Sequence, residues 1–218
     1  VNDSVQSEME GFAGLVLRLR GEGLQDTQLL KAVEATPRTL FVPSAARSAA
    51  YDAGVVPIEC GSFMEGADLA AQMLYLLMVQ PGQRVLEIGT GSGFTAAVIA
   101  RTAERVFTLD RFRTLIANAQ ARFERLGLTN IAARQADGSQ GLRGEGTFDR
   151  ILVTAAYDTT PRFFVDQLVA GGVLLAPVLM EDGTCMLMRM TKIGSRFERE
   201  ELFPVPFQPI ATGRARAL

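Results

Sequence analysis

Val85-Leu86-Glu87-Ile88-Gly89-Thr90-Gly91-Ser92-Gly93-Phe94 is the stretch on which the fold turns. Val85 to Ile88 is a short, mostly apolar run that reads as a buried strand, and a helix through about Thr102 follows. Between them, glycines let the backbone turn sharply and approach a ligand with no side chain in the way. The helix N-terminus behind them presents unpaired N–H groups. Dinucleotide loops favour G-x-G-x-x-G. Here the third glycine comes one residue early, and Phe94 holds the dinucleotide position. Glu87, inside the strand, is expected near the loop, where it would attract a cation. The sulfonium and ammonium of S-adenosylmethionine are cationic, whereas the pyrophosphate of NAD is anionic. Both differences favour S-adenosylmethionine, with S-adenosylhomocysteine as product; a glycine turn that binds nothing is the bland alternative.

Downstream, strands and helices alternate. Strand Val106–Leu109 closes on Asp110, placed to accept hydrogen bonds from both ribose hydroxyls of an adenosyl ligand. A helix spans 112–126, a weaker strand Ile131–Gln135, and Asp137-Gly138 follows. Asp137 can accept from an adenine amino group or be a simple turn acid. Arg150–Thr154 carries the continuous apolar run Ile151-Leu152-Val153 and fits a central strand. A helix is expected from Pro161 to Val169, ended by Gly171-Gly172, then strands Val173–Ala176 and Cys185–Met190 around a turn at Glu181–Gly183. The tail after Gly194, with Pro204, Pro206 and Pro209, is expected to be extended and surface-packed.

Upstream, residues 4 to about 35 read as helical with a break at Gly21 and Gly23 and a cap at Asp26. Pro37 and Pro43 bracket an expected extended piece, residues 44–58 look irregular, and Ala67 to Met78 has helical spacing closed by Pro81-Gly82. The fold class expected is α/β, a Rossmann-like doubly wound sheet of the S-adenosylmethionine-dependent methyltransferase type with N-terminal helices. One domain is expected, divided into an N-terminal segment (1–58), a cofactor-binding core (59–193) and a C-terminal strand and tail (194–218).

Composition narrows the chemistry. The 218 residues carry a net charge of −2 with acids and bases interleaved, which gives no footprint for nucleic acid. No apolar run is long enough to span a membrane, and the first residues lack a signal-peptide layout. Cys60 and Cys185 read as reduced thiols, so a cytoplasmic protein is expected; Cys60 suits a small buried apolar position or the pocket wall. The chain has no histidine, which removes Ser-His and Cys-His nucleophilic machinery and imidazole zinc sites. No metal is expected, since the methionines are better read as core filling.

Pro37-Arg-Thr-Leu-Phe-Val-Pro43, Pro81 to Phe94, Phe148-Asp-Arg-Ile-Leu-Val-Thr-Ala-Ala156 and Val205-Pro-Phe-Gln-Pro-Ile210 together resemble segments of the protein-L-isoaspartate O-methyltransferase family, over most of the chain. The resemblance implies Asp110 at the ribose, Asp137 at adenine, and Thr154, Ala155 and Ala156 along the methyl-transfer channel. It also implies a damaged protein or peptide as substrate, with the enzyme a monomer or weak dimer. The cofactor set expected is Glu87, Gly89, Thr90, Gly91, Ser92, Gly93, Asp110, Arg111, Asp137, Gly138 and Thr154. One departure stands out. Where the family carries Thr-Ile-Ser-x-Pro, whose hydroxyls help seat the substrate carboxylate, this chain has Phe63-Met-Glu-Gly-Ala67. Glu65 would repel a docking carboxylate unless an arginine compensates it or it is protonated. Ser62 is the nearest hydroxyl. Ser62 and Glu65 are therefore the candidate catalytic residues, and Phe63, Ala155 and Ala156 the candidate substrate contacts.

An acceptor carboxylate is already deprotonated near neutral pH, so it needs no general base. A hydroxyl or amine acceptor would more often want one, and Glu65 can serve there. A carboxyl methyltransferase is thus the leading expectation, with a different acceptor or a non-catalytic cofactor-binding protein as alternatives.

Overall fold

The structure, a computed structural model, describes residues 2–215, with side chains from residue 6 onward. Helix α1 (Asn2–Gly21) ends at the first expected glycine, and α2 (Thr27–Glu34) starts where Asp26 accepts the N–H groups of Gln28 and Leu29. The piece between Pro37 and Pro43 is not extended. It forms a 3-10 turn at Arg38–Leu40, and a second turn occupies Ser44–Ala49. Each proline sits just ahead of a turn with φ near −55°, the value its ring favours and a helical turn needs.

Strands β1 (Val56–Pro57) and β2 (Phe63–Met64) make a small antiparallel ribbon. Helix α3 (Ala67–Leu77) follows and stops at Met78, whose left-handed φ of 53° ends it before Pro81-Gly82 is reached. Then come β3 (Arg84–Ile88), α4 (Phe94–Ala100), β4 (Arg105–Asp110), α5 (Arg113–Arg125), β5 (Ile131–Gln135) and β6 (Phe148–Val153). The last strands are β7 (Leu168–Leu179), β8 (Cys185–Ile193) and β9 (Arg196–Pro204). The seven-stranded sheet has the order β5-β4-β3-β6-β7-β8-β9, parallel from β5 to β7 and antiparallel beyond. Chain order reverses beside β3. The connections leaving β3 therefore diverge, and a crevice opens at the carboxyl edge there.

Strand alternation splits the core. Val85, Val106, Leu152 and Leu175 face the side on which all five helices bury their apolar residues. Leu86, Ile88, Phe107 and Val153 face the other side, which Tyr157, Phe163 and Phe164 cover. The helix expected at 161–169 is instead a 3-10 turn, Arg162–Gln167, and β7 starts at Leu168 with Gly171-Gly172 inside it. Pairing with β6 shifts register at this point, and Gly171 takes a φ of 72°: the glycines mark a strand irregularity, not a helix end. The strand after Gly194 pairs with β8 at the edge of the sheet. Exposed charges at Glu198, Arg199, Glu200 and Glu201 suit that edge. Among the described residues, no helix is long and apolar enough to cross a membrane.

Candidate active site

The carboxyl ends of β3, β4, β5 and β6 open into a cavity of about 440 Å³, within the range of small-molecule sites. Its floor is the glycine loop. Gly89, Gly91 and Gly93 have φ of 97°, 51° and 89°, values that side chains with a Cβ rarely adopt. A Cβ on Gly89 would stand 2.2 Å from Oγ1 of Thr154. That hydroxyl donates instead to the Gly89 carbonyl at 3.2 Å and ties the loop to the end of β6.

Asp110, 8% exposed at the end of β4, accepts the N–H of Gly91 and of Phe112, each at 3.0 Å. Burial raises its pKa, and backbone donors of Phe112, Gly91 and Arg111 oppose the rise. Each oxygen keeps a lone pair, and the residue lines the cavity beside Arg111.

Of the expected set, Ser62, Phe63, Glu65, Gly89, Gly91, Asp110, Arg111, Gly138, Thr154 and Ala155 meet at this one cavity. Thr90 and Ser92 line a small recess behind it. Four others lie elsewhere. Glu87 faces the helix side of β3, fully buried, where Thr95 and Thr108 donate hydroxyls to it. Burial pushes its pKa up to about 7 against those two hydrogen bonds, so it is no attractor for a cation in the cavity. Gly93 packs under Phe123, which a Cβ would meet at 2.9 Å. Asp137 is exposed, and its carboxylate accepts the N–H groups of Ser139 at 2.9 Å and Gly213 at 2.7 Å. Ala156 is buried and pairs with the C-terminal segment, donating to the Gln208 carbonyl and accepting from the Ile210 N–H, both at 2.8 Å.

Two groups of wall residues went unread in the sequence. Gln208, Pro209, Ile210 and Ala211 fold back over the cavity, held by the Ala156 pairing. Gln208 also donates to the Phe63 carbonyl at 3.3 Å. Arg38 lies fully buried in the recess. A charged residue just ahead of the apolar run Leu40-Phe41-Val42 was the available signal for Arg38, as the resemblance at Val205–Ile210 was for Gln208. Cys60 is half-buried on the wall rather than in the core.

Glu65 is no solvated loop acid. It borders both cavity and recess, and burial raises its pKa, while its own N–H and the charge of Arg38 pull it down. Ala67, standing where the family has proline, donates its N–H to the Asp52 carbonyl at 2.9 Å, a bond proline cannot make. Among the described residues, no three His, Cys, Asp or Glu side chains gather as metal ligands would.

Residues 12–215 match the sequence profile described as Protein-L-isoaspartate(D-aspartate) O-methyltransferase. The chain belongs to that family. Among the family's members it is similar to the protein-L-isoaspartate O-methyltransferase of Rhizobium meliloti (strain 1021), 56% identical over 90% of this chain and 96% of that one. The enzyme of the same name from Azorhizobium caulinodans is 43% identical over 98% of each chain. A solved protein-L-isoaspartate O-methyltransferase superposes with a TM-score of 0.82 at 25% identity, covering 93% of this chain and 67% of the other. A Plasmodium falciparum chain solved with S-adenosyl-L-homocysteine shares the fold, with a TM-score of 0.77 at 23% identity over 91% of this chain and 97% of that one.

Proposed function

We propose that this family member methylates the carboxylate of L-isoaspartyl residues in proteins or peptides, with S-adenosylmethionine as donor. The observation that carries this reading is the cavity itself. The bare glycine loop, Asp110, Ser62, Phe63, Glu65 and Thr154 line it together. The fit to the donor rests on the Gly89–Gly91 backbone, where a side chain at Gly89 would fill the approach, and on the unused lone pairs of Asp110. When bound, S-adenosylmethionine supplies an electrophilic methyl on a sulfonium. Asp110 would accept its ribose hydroxyls, and Gly138, where a Cβ would lie 2.6 Å from Ile88, keeps the adenine end open.

The chain's remaining tasks are alignment and exclusion of water. Phe63 and Ala155 would border the acceptor, and the segment 208–211 would cover it. No proton needs removing from a carboxylate acceptor, which agrees with the absence of histidine. Residence in the cytoplasm fits a chain whose two cysteines are unpaired.

The test is transfer of a radiolabelled methyl to an isoaspartyl peptide and to its aspartyl twin. Base-labile ester on the first alone is the expected result; label on neither, with cofactor bound, overturns the acceptor assignment. A second reading draws on Glu65, whose raised pKa and place on the wall make it a usable base for a hydroxyl or amine acceptor. Base-stable label on such acceptors would favour it.

A further inference from the structure

The recess behind Glu65 contains a donor without an acceptor. Arg38 is fully buried. Its Nε donates to the Ala50 carbonyl at 2.5 Å, its Nη2 donates to the Glu65 carbonyl, and its guanidinium lies 4.5 Å from the centre of the Phe94 ring. Nη1 has no partner. Leaving one N–H of a buried cation unmatched is costly, so the geometry calls for an anion or a bridging water. The recess holds about 20 Å³, room for one water.

The surrounding carboxylates narrow the choice. Asp68 is held by Arg18 through two bonds of 2.7 and 2.8 Å. Glu8 accepts the Arg38 N–H, the Thr39 hydroxyl and the Tyr51 hydroxyl. Glu87 is taken by Thr95 and Thr108. Glu65 is left, and it borders the same recess. Of the charged side chains around Arg38, Glu65 acts on it most strongly. Arg111 lines the cavity but not this recess, where, among the described residues, Arg38 is the one charged partner beside Glu65.

We propose that Arg38 is the counter-charge of Glu65, paired through Nη1 across one water, and that this pairing lets the acceptor end admit an anionic group. Arg38 is on this view a positioning residue that sets acceptor specificity. Where the family places a neutral hydroxyl, this chain has a carboxylate whose charge a buried guanidinium cancels. The specificity half of the proposal rests on the carboxylate-acceptor reading above; the pairing half does not.

The experiment combines two readouts on Arg38→Met, Arg38→Lys, Glu65→Gln and the Arg38→Met/Glu65→Gln double variant. The first is a carbon-13 titration of the Glu65 carboxyl with no acceptor present. We expect Glu65 to titrate about one pH unit or more higher in Arg38→Met than in the native protein, and to return towards the native value in Arg38→Lys. An unchanged titration overturns the pairing whatever the enzyme methylates. The second is steady-state kinetics on the isoaspartyl peptide. Arg38→Met should raise KM roughly tenfold with kcat changed less than about threefold, and adding Glu65→Gln should bring KM back to within about threefold of native. If the double variant keeps the full KM defect, Arg38 acts only as scaffold and the proposal fails. Should Arg38→Met not fold, Glu65→Gln alone decides, because it leaves the guanidinium uncompensated. KM for the isoaspartyl peptide then falls about threefold or more, and an unchanged or raised KM overturns the proposal. A native enzyme inert on that peptide sinks the acceptor reading, while the titration still judges the pair.

Discussion

Glu87 shows how one position in a strand decides between two roles. Its place next to the glycine loop pointed to the ligand, but alternation along β3 turns residue 87 to the helix side and Ile88 to the cavity. The loop glycines were legible because φ of 51° to 97° favours glycine over residues with a Cβ. The side to which Glu87 points was not, because a strand buried on both faces carries no polar alternation to read. A carboxyl whose folded pKa lies above its unfolded one favours the folded state when protonated. The contribution of Glu87 is therefore complete below about pH 4.5 and lost as pH rises through about 7. Between pH 5 and pH 8 the native protein should lose up to about 3 kcal/mol of stability that Glu87→Gln does not lose. Urea unfolding of both proteins at the two pH values measures the difference, and identical slopes with pH would contradict it. At Gly89, a Cβ would meet Thr154 Oγ1 at 2.2 Å. Gly89→Ala should therefore cost about 1–3 kcal/mol and weaken S-adenosylhomocysteine binding at least tenfold; calorimetry and thermal melting report the two effects.

At the scale of elements, what could be read depended on whether a signal was local. The apolar runs of β3, β4 and β6 and the Asp26 cap of α2 act over a few residues, and they appear in the structure as expected. The turn at Arg38–Leu40 was missed because it depends on distant partners: Glu8 in α1 accepts the Arg38 N–H at 2.8 Å, and Ala50 and Glu65 take its side chain. The covering segment 208–211 was missed for the same reason, since its order comes from Ala156 and Phe63, each more than fifty residues away. Proline-rich sequence announced extended chain and said nothing of where it docks. Truncation after Phe207 removes this wall. The shortened protein should keep its sheet by circular dichroism, because β9 ends at Pro204, yet bind S-adenosylhomocysteine about tenfold or more weakly. Unchanged affinity would show that the segment is no part of the site.

For the whole molecule, the ordering of strands does the placing. Reversal of chain order at β3 opens one crevice at the carboxyl edge, and the ends of four strands supply its walls. The alternating strand and helix pattern made that arrangement readable, including the central position of β6. It overstated the covering of the second face, where a 3-10 turn and aromatic side chains stand in for a full helix. A cavity with no histidine, a glycine floor and an acid at the end of β4 is suited to aligning a pre-activated donor with an acceptor that needs no base. The most direct check is a calorimetric titration of S-adenosylhomocysteine into the native protein and into Asp110→Ala. One site per chain in the native protein, weakened about tenfold or more by the substitution, is the result expected. Absence of binding, or equal affinity in the two proteins, would contradict the assignment of this cavity to the adenosyl donor.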